Sequence, residues 1–286
     1  MSAKFKRQYG DWAIICGASD GLGAELAREC AKKGLNCALI ARRKPLLDQL
    51  GADLSREFNV ETRSYPLDLM DIDAADKIET IADALDTGLF VINAGGDTVS
   101  SRFLESGLEA WKALMQRNIH FLTDTLHNFG KRYHAQGRGG IMVIGSDLAF
   151  SGAGRVSLYS ASKAYAMNLI ESLWTEWQNT QVDIAYMVIG STKTPKMLKI
   201  LEHYKIDPTA IDLIEPSDLA RWAMDNISHG PTCVYDVDPE SMDAMTSPSA
   251  RRHRILRNTQ IIDFFYGDLD ADQDLMKTLK SGRNWK

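Results

Sequence analysis

The sequence predicts an α/β fold of three layers, in which a doubly wound parallel sheet lies between two layers of helices. Between about residues 12 and 190, short apolar runs alternate with segments of helical periodicity. The short runs are apolar at nearly every position, which is typical of parallel strands covered by helices on both faces. Right-handed crossovers between such strands produce a sheet that winds in two directions from its centre.

The predicted strands are these short runs, at residues 12–16, 36–41, 62–67, 89–92, 140–145, 182–189 and 232–235. The predicted helices carry apolar residues at spacings of three and four. They occupy residues 22–34, 45–58, 73–85, 108–133, 157–178 and 216–227. Gly34 is a typical helix stop, and Pro216 is a typical first helical residue. Residues 192–214 are expected to form a loop with short helices.

The chain contains no internal repeat, low-complexity tract or linker rich in proline and glycine. We therefore expect a single domain. Its core would occupy residues 1–237, and residues 238–286 would form a helical C-terminal extension of the same domain.

The composition excludes several classes of function. The net charge of −5 argues against a general nucleic-acid-binding protein, which usually presents a basic face. The four cysteines form no C-x-x-C pair and no metal-site spacing with histidine, so we expect reduced thiols and no metal. The first residues lack the apolar core of a signal peptide, and no apolar run is long enough to span a membrane. These features predict a cytoplasmic protein that is not integral to a membrane.

A glycine-rich turn separates the first predicted strand from the first predicted helix. Gly17, Gly21 and Gly23 follow the pattern G-x-x-x-G-x-G. Glycine allows positive φ and a close approach of the backbone to a ligand, and the N-terminus of the next helix offers unpaired N–H groups to phosphates. The turn therefore predicts a site for the pyrophosphate of a dinucleotide. The alternative at this point is a plain strand-to-helix turn with extra glycines.

The end of the second predicted strand indicates which dinucleotide binds. The strand ends in Ala41, Arg42 and Arg43, without the carboxylate that binds the ribose 2′-hydroxyl in an NAD site. Guanidinium groups bind phosphate, often through two hydrogen bonds. We therefore predict a preference for NADP(H), whose ribose carries a 2′-phosphate. The alternative is a pair of solvated surface arginines.

Four polar residues indicate acid/base chemistry. Tyr159 and Lys163 lie four residues apart on one face of a predicted helix, where an ammonium would favour the phenolate and lower a tyrosine pKa that is ordinarily about 10. Ser146 follows a predicted strand, at the sheet edge where sites assemble. Asn118 is a poor helix former within a predicted helix, so it could open the helix and order a water that leads to Lys163. A core tyrosine with a surface lysine, and a merely tolerated asparagine, are the alternatives.

Taken together, these residues resemble the short-chain dehydrogenase/reductase family, in its compact single-domain branch with a Rossmann-type sheet. The resemblance covers roughly residues 10–235. The matching motifs, in chain order, are Gly17-x-x-x-Gly21-x-Gly23, Asp68, Asn93-Ala94-Gly95, Asn118, Ser146, Tyr159-x-x-x-Lys163, and Gly190 with Thr194. Each motif alone is modest, but the ordered set is specific to the family.

The resemblance implies a role for each residue. Tyr159 would be the general acid/base, Ser146 would orient the carbonyl, and Asn118 would hold a relay water. Lys163 would bind the ribose hydroxyls of the nicotinamide half and lower the pKa of Tyr159. With Tyr159 and Lys163, the implied cofactor contacts are Gly17, Ser19, Gly21, Leu22, Gly23, Arg42, Arg43, Asp68, Leu69, Asn93, Ala94, Gly95, Gly190, Thr192 and Thr194.

Three positions depart from the family pattern. Cys16 replaces the usual threonine, Ile92 replaces the first asparagine of Asn-Asn-Ala-Gly, and Ile189 replaces the usual proline before Gly190. The first change would cost a hydrogen bond between strands, and the last would relax the backbone beside the nicotinamide. None of them removes a catalytic group.

The resemblance implies an NADP(H)-dependent oxidoreductase that transfers a hydride between the nicotinamide and a carbonyl or secondary alcohol carbon. Reduction is the favoured direction, because cells keep NADP reduced. One alternative is a catalytically silent, NADP(H)-sensing regulatory protein, although such relatives usually lose the tyrosine or the lysine. Another is C=C reduction, dehydration or epimerisation on the same scaffold. The resemblance also implies a homodimer or homotetramer, paired through the long helices at residues 108–133 and 157–178.

Apolar residues near the predicted site favour a small-molecule substrate of medium or large size, such as a steroid-like or lipid-like ketone or alcohol. They are Leu148, Phe150, Met197, Leu198, Ile200, Leu201, Tyr204 and Ile206. The last six belong either to a mobile apolar lid or to an ordinary amphipathic helix. Lys193, Lys196 and Lys199 would instead suit a carboxylate or acyl-carrier substrate.

Overall fold

Seven parallel strands of the described chain form one sheet, in the order β3-β2-β1-β4-β5-β6-β7. The computed structural model describes residues 2–150, 152–203, 205, 207–210, 212–240, 243 and 246–253. The strands are Trp12–Cys16 (β1), Asn36–Ala41 (β2), Thr62–Pro66 (β3), Thr87–Ile92 (β4), Gly139–Ile144 (β5), Val182–Val188 (β6) and Thr232–Val234 (β7). The strand order reverses between β1 and β4, so the predicted doubly wound fold is confirmed.

Helices cover both faces of this sheet. Those in the described residues are Ser2–Tyr9 (α1), Gly21–Lys32 (α2), Lys44–Phe58 (α3), Ala74–Asp83 (α4), Leu108–Met115 (α5), Phe121–Gln136 (α6), Ser157–Glu176 (α7), Pro195–His203 (α8) and Pro216–Asn226 (α9). Helix α1 was not predicted. The single helix predicted over residues 108–133 is instead two helices, joined by a π-helical turn at Gln116–His120.

Alternate residues of each strand contribute to two separate apolar layers. Ile15 of β1 belongs to the layer that includes side chains of α2, α3 and α9, whereas Ile14 belongs to the layer that includes α4, α6 and α7. Each fully buried isoleucine or leucine stabilises the fold by about 1.5–3 kcal/mol relative to an exposed one. The four cysteines are buried free thiols within these layers, as predicted. The strand ends that carry the candidate site are therefore held from both faces.

The chain divides into two compact units, Met1–Tyr235 and Asp236–Lys286. The first unit contains the whole sheet. In the second unit, residues 248–253 are helical, and Asp243 accepts a hydrogen bond from the N–H of Thr246 at 2.8 Å. Of the helical extension predicted at residues 238–286, residues 254–286 lie outside the described residues.

Helix α1 is anchored to strand β6 by two of its side chains. The Tyr9 hydroxyl donates to Oδ2 of Asp183 at 2.8 Å, and Nε2 of Gln8 donates to the Gln181 carbonyl at 2.7 Å. Tyr9 itself is buried, and its ring contacts that of Phe5 at 4.4 Å between centroids. The sequence did not reveal this helix because these two aromatic rings are its only large apolar side chains.

Tyr9→Phe should lower the free energy of unfolding by about 1–3 kcal/mol, because it keeps the ring but removes a donor from the partly buried carboxylate of Asp183. Urea unfolding followed by circular dichroism measures the change. The matched control is Tyr165→Phe, whose more exposed hydroxyl bonds to Thr123 and should matter by less than about 0.5 kcal/mol. Equal and small changes in both variants would mean that the Tyr9 hydroxyl does not anchor α1.

Candidate active site

A cavity of about 680 Å³ lies at the carboxyl ends of the strands, where the turns after β1 to β6 meet. Ligands of doubly wound sheets bind at this edge, beside the reversal of strand order. The structure brings together here every predicted site residue except Gly23 and Asn118. Those lining the cavity are Gly17, Ser19, Gly21, Leu22, Arg42, Arg43, Asp68, Leu69, Asn93, Ala94, Gly95, Ser146, Tyr159, Lys163, Gly190, Thr192 and Thr194.

The glycine turn after β1 allows a ligand to approach its backbone closely. Gly17 and Gly21 have positive φ values of 84° and 52°. A Cβ on Gly23 would lie 2.0 Å from the Gly17 carbonyl oxygen, so the turn can close only around a glycine at that position. Asn93 ties the turn to the end of β4, because its Nδ2 donates to the same carbonyl at 3.2 Å. The N-terminus of α2 thus faces the cavity, as a phosphate site requires.

Two guanidinium groups stand at the end of β2. Arg43 donates from Nη2 to the Ser19 hydroxyl at 3.1 Å and to the Asp20 carboxylate at 3.4 Å. The side chain of Arg42 is 72% exposed and lies 3.9 Å from the Asp68 carboxylate. These contacts use only some of the five N–H donors of each arginine, which leaves donors for a phosphate. With the N-terminus of α2, the arrangement fits a phosphorylated dinucleotide.

The candidate acid/base residues meet where α7 packs against the end of β5. Nζ of Lys163 lies 5.7 Å from the centre of the Tyr159 ring and donates to the Ile144 carbonyl at 2.9 Å. Ser146 follows this strand end, and its hydroxyl donates to the Asp147 carboxylate at 3.0 Å. Burial lowers the pKa of Lys163 to about 8, which brings its change of charge close to neutral pH.

The pKa of Tyr159 differs from the prediction. The lysine one turn away was expected to lower this pKa, but burial raises it above its ordinary value. The Ser146 hydroxyl and the positive charge of Arg117 oppose the rise, whereas the carboxylates of Asp147 and Asp97 add to it. The predicted lowering is therefore wrong, because the loss of water around the phenolate outweighs the neighbouring positive charge.

Asn118 lies in the middle of the π-helical turn Gln116–His120, so the helix is distorted at the residue that the sequence singled out. Its Nδ2 donates to Oγ of Ser162 at 3.1 Å, and its Oδ1 accepts from Nε of Arg117 at 3.1 Å. These residues and Lys163 line a second cavity of about 20 Å³. A cavity of this size has room for about one water molecule, which fits a relay position beside the lysine.

Three charged residues of the cavity lining stand outside the motifs identified in the sequence, namely Asp97, Arg117 and Asp147. Arg117 and Asp147 are the immediate neighbours of two candidate residues, Asn118 and Ser146, and this adjacency was a usable signal. Asp97 lies two residues after the predicted Gly95, which is a weaker signal of the same kind.

Helix α8 supplies an apolar wall of the cavity. Met197 and Ile200 line it, and Leu148 lines it from the turn after β5. In contrast, Leu201 is buried elsewhere in α8, and Phe150 packs against the layer that includes α4, α6 and α7. Tyr204 and Ile206 lie outside the described residues, and Leu198 is not part of the described lining. Helix α8 is thus an ordinary amphipathic helix. It contributes two apolar residues to the described cavity lining, fewer than the sequence predicted for this segment.

The three lysines of this segment have different surroundings. Lys196 lines the cavity, and its Nζ donates to the carbonyl of Asp97, which connects α8 to the segment after β4. Lys193 pairs with Glu215 at 2.6 Å, and Lys199 does not belong to the described lining. Of these three lysines, only Lys196 therefore belongs to the described cavity lining.

Two further features bear on the class of protein. Within the described ranges, no three His, Cys, Asp or Glu side chains come close enough together to hold a metal ion. Every helix in those ranges is too short or too polar to traverse a membrane.

Comparison with known proteins reveals relatives over most of the chain. A family model described as short chain dehydrogenase matches residues 11–205. A 7beta-hydroxysteroid dehydrogenase of Clostridium sardiniense is 31% identical over 207 residues, which make up 72% of this chain and 78% of that protein. A 17-beta-hydroxysteroid dehydrogenase type 3 of Rattus norvegicus is 29% identical over 219 residues, or 76% of this chain and 71% of that protein.

Solved structures share the fold. One of them was described in work on 7beta-hydroxysteroid dehydrogenase stereoselectivity. It matches with a TM-score of 0.76 at 21% identity, and the match covers 87% of this chain and 98% of that chain. A short-chain dehydrogenase from Sphingobium yanoikuyae in complex with NADPH has a TM-score of 0.73 at 24% identity, covering 92% of this chain and 97% of its own.

Gly23→Ala should disrupt the glycine turn, because the added methyl group would overlap the Gly17 carbonyl oxygen. We expect the affinity for a nicotinamide dinucleotide to fall at least about tenfold and the free energy of unfolding to fall by about 1–3 kcal/mol. Titration of tryptophan fluorescence and urea unfolding measure the two effects. Gly107→Ala is the control, because a Cβ there meets nothing within 4 Å. Similar affinities for both variants would contradict the assignment of this turn.

Proposed function

Because this chain belongs to the short-chain dehydrogenase family, we propose that it transfers a hydride between NADP(H) and the carbon of a carbonyl or secondary alcohol. The family match and the hydroxysteroid dehydrogenase relatives indicate an oxidoreductase that acts on CH–OH groups. One observation carries the finer proposal: Tyr159, Ser146 and Lys163 line the same cavity as the glycine turn and Arg42. Phosphate recognition and acid/base chemistry thus share one site within the unit Met1–Tyr235.

The side chains have the following roles in this proposal. The bound nicotinamide supplies or accepts the hydride at the substrate carbon. The Tyr159 hydroxyl gives its proton to the carbonyl oxygen in reduction and receives the alcohol proton in oxidation. Ser146 donates a hydrogen bond to the same oxygen, for which its hydroxyl turns away from Asp147. The Lys163 ammonium binds the ribose hydroxyls, and Asn118 holds a water beside it.

The preference for NADP(H) rests on the end of β2. Arg42 and Arg43 line the cavity there, and the strand ends without the carboxylate that would repel a 2′-phosphate. Arg42 is exposed and weakly paired, so it is free to turn toward such a phosphate. Reduction is the favoured direction, since NADP is largely reduced in cells. The free, buried thiols agree with the reducing cytoplasm as the location, and a homodimer or homotetramer completes the proposal.

The proposed substrate is a ketone or alcohol of medium or large size and apolar character, of the steroid-like kind. Met197, Ile200 and Leu148 give the cavity an apolar wall. Relatives in Clostridium sardiniense and Rattus norvegicus are hydroxysteroid dehydrogenases, which supports the same class of substrate.

The direct test is to measure NADPH and NADH consumption with a panel of cyclic and steroid ketones. We expect turnover with NADPH, and Tyr159→Phe should reduce it by at least about a hundredfold while NADPH binding persists, because only the proton donor is removed. Tyr165→Phe, on the same helix, is the control and should remain active. A near-normal rate for Tyr159→Phe would refute the acid/base role, and NADPH binding without turnover would favour a silent sensor.

The cofactor preference has its own test in Arg42→Ala and Arg43→Ala. Loss of a charged hydrogen bond to the 2′-phosphate should lower kcat/KM for NADPH by about 10–100-fold and leave that for NADH nearly unchanged. Lys44→Ala is the control, because it removes a nearby positive charge that pairs with Asp48 at 2.6 Å outside the described cavity lining. An equal loss with both cofactors would contradict recognition of the 2′-phosphate.

A further inference from the structure

Arg117 occupies an unusual place, because its side chain lines both the large cavity and the one-water cavity. Nη2 of Arg117 donates to the Gly96 carbonyl, and Nε donates to Oδ1 of Asn118 at 3.1 Å. In the described part of the chain, no carboxylate oxygen lies within 4.0 Å of this guanidinium. The hydrogen bonds of the Arg117 guanidinium therefore go to uncharged oxygen atoms. Its positive charge is not neutralised by direct contact with a carboxylate of the described residues.

The hydrogen bond from Arg117 determines how the carboxamide of Asn118 is oriented. Because Oδ1 accepts from the guanidinium, Nδ2 is directed toward Ser162 and donates to its Oγ at 3.1 Å. The Ser162 hydroxyl in turn donates to the backbone carbonyl of Tyr159 at 2.7 Å. A continuous series of hydrogen bonds thus leads from the segment after β4, through Arg117 and Asn118, to the first turn of α7.

Charged groups of three elements outside α7 influence the Tyr159 phenol. Asp147 from the turn after β5 and Asp97 from the segment after β4 raise its pKa, in addition to burial, and Arg117 from the π-helical turn lowers it. Lys163 lies on the same helix as the phenol, 5.7 Å from its ring centre. The Lys163 ammonium loses its proton near pH 8, because burial and then the charge of Arg117 lower its pKa to about 8.

A guanidinium keeps its charge at all pH values in the working range of an enzyme, unlike the ammonium beside it. Burial and then the charge of Arg42 lower the pKa of Arg117, and Asp68, Asp97 and Tyr159 oppose this lowering. Above about pH 8, where Lys163 becomes neutral, the charge of Arg117 persists and still favours the phenolate.

We propose that Arg117 is a positioning residue of the proton-transfer site, which orients the Asn118 carboxamide and supplies a fixed positive charge to the cavity that Tyr159 also lines. This inference rests on the proposed acid/base role of Tyr159. The planar fork of the guanidinium reaches the Gly96 carbonyl and the Asn118 carboxamide at once, a geometry that an ammonium cannot reproduce. Charge and hydrogen bonding can therefore be separated by substitution.

Titration of Tyr159 in the full-length protein tests the charge without any turnover. Tyrosinate absorbance is measured against pH for the protein and for Tyr159→Phe, and the difference isolates this phenol. The same pair is then measured with Arg117→Gln and with Arg117→Lys. In the Gln background Tyr159 should titrate at higher pH, and in the Lys background near the original pH. An unchanged titration with Gln, or an equal shift with both, would overturn the proposal.

Lys196→Gln is the control for this titration, because it removes another cavity-lining cation that bonds to the Asp97 carbonyl but does not act on Tyr159. It should leave the titration in place. Thermal unfolding identifies any variant that fails to fold, and Arg117→Met then replaces Arg117→Gln as the uncharged variant.

Kinetics test the positioning of Asn118. If a ketone is turned over, Arg117→Lys should lower kcat with little change in the dissociation constant of NADPH, since the fork is lost and the charge kept. For Arg117→Gln, alcohol oxidation below the Tyr159 transition should fall about tenfold for each pH unit of upward shift.

Weaker NADPH binding with an unchanged kcat would make Arg117 a cofactor contact and refute the proposal. Absence of turnover by the unaltered protein would refute the proposed function instead, and the tyrosinate titration would still decide the charge of Arg117.

Discussion

The buried ammonium of Lys163, bonded to the Ile144 carbonyl at the end of β5, is the contact on which the geometry of the site depends. It fixes the first turns of α7, which carry Tyr159, against the strand that leads to Ser146. Tyr186 of β6 adds a second attachment, because its hydroxyl donates to the Lys163 carbonyl at 3.0 Å. Burying an ammonium is unfavourable unless it is hydrogen-bonded, and the lowered pKa of Lys163 reflects that residual cost. Attachments to two neighbouring strands thereby set the separation of Tyr159, Ser146 and Lys163.

The large cavity combines surfaces of opposite character. Guanidinium groups and helix-terminal N–H groups face it at the ends of β1 and β2, and apolar side chains face it from α8. The polar part suits a phosphorylated cofactor, whereas the apolar part suits an apolar ligand. Between them, carboxylates at Asp97 and Asp147 oppose ionisation of Tyr159, and Arg117 favours it. The proton affinity of the phenol is therefore a balance among several elements rather than a property of one tyrosine–lysine pair.

The strands were predictable because burial leaves a direct record in the sequence, and the residues that line the cavity were predictable because most of them follow the carboxyl ends of those strands. Residues 12–16 and 36–41 are apolar since both faces of their strands are covered, and the predicted bounds agree with β1 and β2. Helix α1 left almost no such record, because its sequence is mostly polar. The sign of the Tyr159 pKa shift could not be read, since it depends on the exclusion of water from the folded cavity. The direction of the Arg117 side chain depends on the π-helical turn. Apolar periodicity over a long segment does not reveal such a local change of helical register.

That register has a consequence for how the site depends on chain length. A π-helical turn holds one more residue than an α-helical turn, so Gln116–His120 acts as a one-residue insertion within a longer helix. Deleting one residue there would restore a continuous α-helix, in which the flanking helices keep their register but the side chains of the former turn point in other directions. The side chains of Arg117 and Asn118 could not then keep their present bonds to Gly96 and Ser162 together. The positions of Arg117 and Asn118 therefore depend on the number of residues in this turn as well as on the identity of the two residues.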